Sequence, residues 1–176
     1  MNPDIDHILF DEKALESKIN QLAAAISTDY NELVAIVVLK GAMFFATDLL
    51  KRMTIPVQID TMHLGSYGMN GAKSAAVRLN NDIKTNIDGK DVLLIEDIID
   101  SGQTMHFILD LFKLRNPKSL KICSLLTKPS RREVDIKIDY LGFEIPDKFV
   151  VGYGFDYKEN YRTLPYIGVL KEELYR

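Results

Sequence analysis

The run VLLIEDIIDSGQTM, Val92 to Met105, carries four apolar residues straight into the carboxylates Glu96, Asp97 and Asp100, then into a Ser-Gly-Gln-Thr turn. Desolvated carboxylates repel one another and cost free energy, so a cluster at the end of a buried strand calls for partners that arrive from outside. Ser101, Gly102, Gln103 and Thr104 offer backbone N–H groups and two hydroxyls that can surround a phosphate at a helix N-terminus, with Gly102 permitting close approach. The acids suit hydroxyl groups, Mg²⁺ or a proton, a combination that fits a phosphorylated sugar undergoing substitution. Two other phosphate motifs are missing. No GxxxxGK followed by Ser or Thr occurs, and no GxGxxG follows a strand, which counts against a P-loop NTPase and a dinucleotide site. Taken alone, the string also fits an ordinary capped helix, because acids near a helix N-terminus complement its dipole.

Holding that turn in place requires a strand before it and a helix after it, and apolar periodicity supplies both. DVLLIED reads as a strand and GQTMHFILDLFKLR as a helix. EKALESKINQLAAAI carries Leu15, Ile19, Leu22 and Ile26 at spacings of three and four, the stripe of an amphipathic helix. ELVAIVVLKG is a β-branched, nearly continuous apolar run and reads as a strand buried on both faces. AMFFATDLLKRM returns to helical spacing, TIPVQIDTMHL is extended, and AAVRL and KSLKICSLL add further strands. This alternation predicts an α/β fold: a central, mostly parallel sheet flanked by helices with right-handed crossovers. GSYGMNGAKS, with its three glycines, reads as a long mobile loop. From about Lys128 the pattern changes to short strand-like pieces broken by Gly and Pro. The expectation is a single domain, 1–176, with a core at about 30–127 and a small cap, or hood, contributed mainly by about 128–176.

A chain of 176 residues, 47% hydrophobic and 27% charged, is long enough to bury one sizeable core. Its net charge of -3 argues against a general nucleic-acid or anionic-membrane partner. Cys123 sits in the apolar LKICSLL and reads as a buried structural thiol, and one cysteine rules out an intramolecular disulfide. His7, His63 and His106 lack metal-ligand spacing. The N-terminal MNPDIDHILF has no basic stretch leading into a long apolar run, so a cytoplasmic protein is expected.

As a whole, VLLIEDIIDSGQT resembles the phosphoribosyl pyrophosphate-binding signature of the type I phosphoribosyltransferases. From about Leu33 to Val169 the chain is similar to the members of that family that act on hypoxanthine and guanine, most closely in GFEIPDKFVVGYGFDY. The resemblance implies the type I phosphoribosyltransferase fold and a Mg²⁺-dependent transfer of the phosphoribosyl group to a 6-oxopurine. It places Glu96 and Asp97 at the ribose hydroxyls and the metal, and Ser101, Gly102, Gln103 and Thr104 at the 5′-phosphate. Asp100 would face the imidazole-ring nitrogen of the purine as catalytic base. Leu39, Lys40 and Gly41 match the pyrophosphate loop, with a cis peptide between the first two, and Arg162 the second cation at the pyrophosphate. Ser66 and Tyr67 match the pair in a loop that closes over the reacting centre. Lys128 would donate to the 6-oxo group, Phe149 would stack on the purine with the backbone near Val150 at its edge, and Asp156 would supply a second Mg²⁺ contact beside the base.

Gln103 departs from the pattern, since many relatives have Lys there, and at most weaker phosphate binding is expected. The resemblance also implies a homodimer or homotetramer, with neither nucleic acid nor membrane as partner. Two alternatives share the fold: a regulator that binds nucleotides and nucleic acid, and an enzyme preferring xanthine. An acidic, short chain without an added basic module fits the regulator poorly.

Overall fold

The computed structural model describes residues 2–67 and 76–175. The chain opens with β1 (Ile5–Phe10), α1 (Glu12–Asp29), β2 (Leu33–Leu39), α2 (Met43–Leu50) and β3 (Val57–Tyr67). It continues through β4 (Ala76–Asn81), β5 (Asp91–Ile99), α3 (Gln103–Lys113) and β6 (Ser119–Thr127). Three short strands follow, β7 (Tyr140–Glu144), β8 (Val150–Val151) and β9 (Ile167–Leu170), with 3-10 turns at Pro129–Arg131 and Glu172–Leu174.

The main sheet runs β4-β3-β2-β5-β6-β7 and is parallel except for β4, which pairs antiparallel with β3. Strand side chains alternate between faces, and β2 shows why both faces must be covered. Leu33, Ala35 and Val37 enter the layer under α1 and α2, whereas Val34, Ile36 and Val38 enter the layer under α3. Helix α1 packs Leu15, Ile19, Leu22 and Ile26 into the first layer, as their spacing predicts. Its N-terminus is capped by Asp11, whose side chain accepts from Ala14 N at 2.8 Å. Helix α3 packs Met105, Ile108 and Phe112 into the second layer. Cys123 is buried in the first layer, and burial pushes its thiol far above the ordinary range.

The smaller sheet is ordered β1-β9-β8 and antiparallel. It draws its strands from both ends of the chain. Ile5–Phe10, which the sequence reading left without a strand, pairs with Ile167–Leu170 from the far end of the chain. Tyr140–Glu144, from the segment assigned to the cap, instead extends the main sheet beside β6. Both assignments depend on pairing with a partner strand, which a local apolar pattern does not encode.

In register, Val37 of β2 pairs with Ile95 of β5, and Ile95 pairs with Cys123 of β6. The segments leaving these strands, beginning at Lys40, Asp100 and Lys128, therefore emerge together at the carboxyl edge of the sheet. Ligands of open parallel sheets bind at such an edge.

Candidate active site

A cleft of about 1040 Å³ opens at this carboxyl edge. Leu39, Lys40 and Gly41 line it from the end of β2, and Glu96, Asp97 and Asp100 from the end of β5. Ser101, Gln103 and Thr104 reach it from the turn into α3, and Asp156 and Arg162 from the segment between β8 and β9. The Leu39–Lys40 peptide is cis, as the resemblance implied. A Cβ at Gly41 would collide with the Asp97 carboxylate, so any larger residue there would displace that acid. Gly154, at φ +105°, presses against the Gly41 carbonyl oxygen where no larger residue fits. The Gly154 approach packs the tail segment against the β2 loop.

Glu96 is 7% exposed. Its Oε1 accepts from Asp97 N at 3.2 Å, while Asp97 Oδ1 accepts from Ile98 N at 2.6 Å. Burial, then the neighbouring Asp97 charge, pushes Glu96 well above the usual carboxylate range. Burial also raises Asp97, opposed by its hydrogen bond with Glu96, by Ile98 N and by the Arg162 charge. The ionised pair is thus costly without a cation or hydroxyl donors, and that donor set fits Mg²⁺. Asp156 is already engaged: its Oδ1 lies 2.7 Å from Arg162 Nη2, and its Oδ2 accepts from Glu159 N at 2.9 Å. Among the described residues no cluster of three or more metal-ligating side chains is assembled. Mg²⁺ commonly needs only one or two carboxylates when substrate oxygens and water complete its shell.

The turn expected to hold the phosphate is braced from behind. Gly102 has φ +90°, and a Cβ there would strike the Val134 carbonyl oxygen. Glu133 N and Val134 N both donate to Ser101 O, at 2.9 and 3.1 Å. Gln103, where the resemblance leads one to expect Lys, donates from Nε2 to Glu133 Oε2 at 3.3 Å. His106, on α3 at the cleft wall, lies 3.4 Å from Asp110.

The residues expected at the purine are more dispersed. Asp100 lines the cleft, with Oδ1 buried and 3.0 Å from Arg131 Nε. Lys128 follows β6, is buried, and has Nζ 3.6 Å from Asp147 Oδ1. Phe149 stacks on Tyr175, with ring centroids 5.0 Å apart, and meets Tyr157 edge-on at 5.6 Å. Val150 is buried in β8 opposite Val169. Lys128, Phe149 and Val150 do not line the cleft itself. Ser66 and Tyr67 end β3 opposite Val77 and Ala76. Gly65 to Tyr67, expected to open the loop GSYGMNGAKS, instead complete β3; the side chains of Ser66 and Tyr67, and residues 68–75, lie outside the described residues.

Three cleft or rim residues escaped the sequence reading. Arg131 contacts Asp100, Glu133 holds Gln103, and Glu159 Oε2 lies 3.0 Å from Lys40 Nζ. The runs KPSRRE and DYKENYR advertise charge but not which charge turns inward.

A family model described as a phosphoribosyl transferase domain matches residues 7–158. The hypoxanthine-guanine phosphoribosyltransferase of Bacillus subtilis (strain 168) is 47% identical over 177 residues, covering 99% of this chain and 98% of that protein. Among solved structures, a hypoxanthine phosphoribosyltransferase from Staphylococcus aureus superposes with a TM-score of 0.93 at 42% identity, covering 98% of this chain and 95% of that one. A hypoxanthine-guanine phosphoribosyltransferase from Bacillus anthracis, holding a HEPES molecule in its active site, gives 0.90 at 46% identity, with 95% and 99% covered. The chain belongs to the phosphoribosyltransferase family.

Proposed function

We propose that this chain is a purine-salvage enzyme that transfers the 5-phosphoribosyl group of phosphoribosyl pyrophosphate to hypoxanthine or guanine, releasing IMP or GMP and pyrophosphate. One observation carries the reading: the acidic strand end, the phosphate turn and the cations Lys40 and Arg162 share one cleft. Support comes also from relatives named for this reaction that match over nearly the whole chain. A nucleic-acid-binding regulator is not favoured.

On this reading the 5′-phosphate sits on the N–H groups of Ser101 to Thr104, and Glu96 and Asp97 receive the ribose hydroxyls. Leu39, Lys40, Gly41 and Arg162 hold the departing pyrophosphate. Glu96 and Asp97, with Asp156 nearby, would hold Mg²⁺, which when bound would supply charge neutralisation at that leaving group. Positive charge develops at the anomeric carbon as its bond to pyrophosphate lengthens, and the adjacent carboxylates stabilise it. Asp100 takes the proton from the purine ring nitrogen as that nitrogen bonds to the sugar. Lys128 donates to the 6-oxo group, and an amino group at that position would leave it without an acceptor. Phe149 stacks on the base near the Val150 backbone. Ser66 and Tyr67 belong to the closing loop. A cytoplasmic homodimer or homotetramer completes the proposal.

The test is product analysis. Purified protein with phosphoribosyl pyrophosphate, Mg²⁺ and hypoxanthine should form IMP and pyrophosphate in equal amounts. Pyrophosphate release without IMP would count against the transfer.

A further inference from the structure

Asp100 and Lys128 leave two different strands, yet both must meet one planar base. Two side chains, Arg131 and Asp147, link them in series. Arg131 Nε lies 3.0 Å from Asp100 Oδ1, and Arg131 Nη1 lies 3.4 Å from Asp147 Oδ1. The same Asp147 oxygen is 3.6 Å from Lys128 Nζ. Asp100 Oδ1 is buried and receives no aligned hydrogen bond, so the Arg131 charge is its close compensating partner. The backbone beneath the guanidinium is fixed by the 3-10 turn Pro129–Arg131, with Arg131 N donating to Lys128 O at 3.1 Å. On either side, Lys128 N donates to Ile99 O and Glu133 N to Ser101 O, at 3.1 and 2.9 Å. The turn is therefore tied to the residues that flank Asp100.

From this geometry we infer that Arg131 is a positioning residue that sets the general base and the oxo-group donor relative to each other. The inference rests on the function proposed above. Two consequences follow from the charges. Pairing with Oδ1 leaves the other oxygen of Asp100 to face the incoming ring N–H. By sharing Asp147, Arg131 also keeps Lys128 from closing a one-to-one ion pair that would turn its ammonium away from the purine. The planar fork of arginine reaches two carboxylates at once, a task that a lysine's single ammonium does not reproduce.

The test is a comparison of Arg131→Gln, Arg131→Lys and Arg131→Gln/Asp147→Asn with the unaltered enzyme in steady-state kinetics, with melting temperatures recorded alongside. Arg131→Gln should lower kcat and raise the KM for hypoxanthine, for a combined loss in kcat/KM of about tenfold or more, while the KM for phosphoribosyl pyrophosphate stays within about twofold. Arg131→Lys should recover only part of this. Adding Asp147→Asn to Arg131→Gln should bring the hypoxanthine KM back toward its original value, because Lys128 is then released, while kcat stays low. Overturning outcomes are Arg131→Gln kinetics within about twofold of the original, equal losses for both substrates, or a double variant with a still higher hypoxanthine KM. Turnover of hypoxanthine by the unaltered enzyme stands apart from all of these: its absence would fault the proposed function, whereas its presence with inert Arg131 variants would fault this inference alone.

Discussion

Lys40 and Glu159, 119 positions apart in the chain, meet in a 3.0 Å ion pair at the mouth of the cleft. Glu159 also lies 3.5 Å from Arg162, so one carboxylate spans the two cations proposed to receive pyrophosphate. The Lys40 ammonium holds the Glu159 carboxyl below its ordinary range. Substrate binding must exchange this internal anion for an external one.

Glu159→Gln should accordingly tighten phosphoribosyl pyrophosphate binding. Both side chains are largely exposed, so the expected change in calorimetric affinity is modest, roughly two- to fivefold, and should shrink as salt is added. Weaker binding by the variant would mean that Glu159 helps to build the site rather than filling it.

Asp100→Asn keeps the shape of the proposed base and removes its ability to take a proton. Turnover should fall by about a hundredfold or more, with much smaller changes in the KM of either substrate. Equal losses in turnover and binding would reassign Asp100 to substrate positioning.

Lys128→Ala removes the charged donor proposed for the 6-oxo group. The loss in kcat/KM for hypoxanthine should be about 1.5–3 kcal/mol, or roughly ten- to a hundredfold. Unchanged kinetics would reject the assignment, in keeping with the absence of Lys128 from the cleft lining.

Glu96 is raised above the usual carboxylate range chiefly by burial, so the folded state favours its protonated form. Stability from this group is present below the unfolded carboxyl value of about 4.5 and is lost as pH climbs through the raised folded value. The free protein should therefore melt at a lower temperature as pH rises from about 4.5 through the raised folded value, and level off beyond it. Glu96→Gln should flatten this slope and raise the melting temperature near neutrality, at about 2–4 °C per kcal/mol gained, while weakening substrate binding. An unchanged pH slope in the variant would place the titration elsewhere.

Legibility in the sequence followed how local the information was. The acidic strand end and phosphate turn occupy one contiguous string, and α1 and α3 announce themselves through Leu15, Ile19, Leu22 and Met105, Ile108, Phe112 at helical spacing. Strand β1 gave no such signal: IDHILF earns its conformation from pairing with Ile167–Leu170. Similarly, nothing within KPSRRE distinguishes Arg131, which turns toward Asp100, from Arg132, which hydrogen-bonds Thr127 Oγ1 at 2.6 Å. Charges that act on an oppositely charged group elsewhere in the chain are fixed by tertiary placement, as with Arg131 on Asp100 and Glu159 on Lys40.

The central claim is metal-dependent phosphoribosyl transfer to a 6-oxopurine. Its most direct measurement is a spectrophotometric rate assay with phosphoribosyl pyrophosphate, offering hypoxanthine, guanine, xanthine and adenine separately, each with and without Mg²⁺. The account predicts nucleotide formation from hypoxanthine or guanine only when Mg²⁺ is present, and none from adenine. Protein that binds phosphoribosyl pyrophosphate yet turns over no base, or that accepts adenine as readily as hypoxanthine, would contradict it.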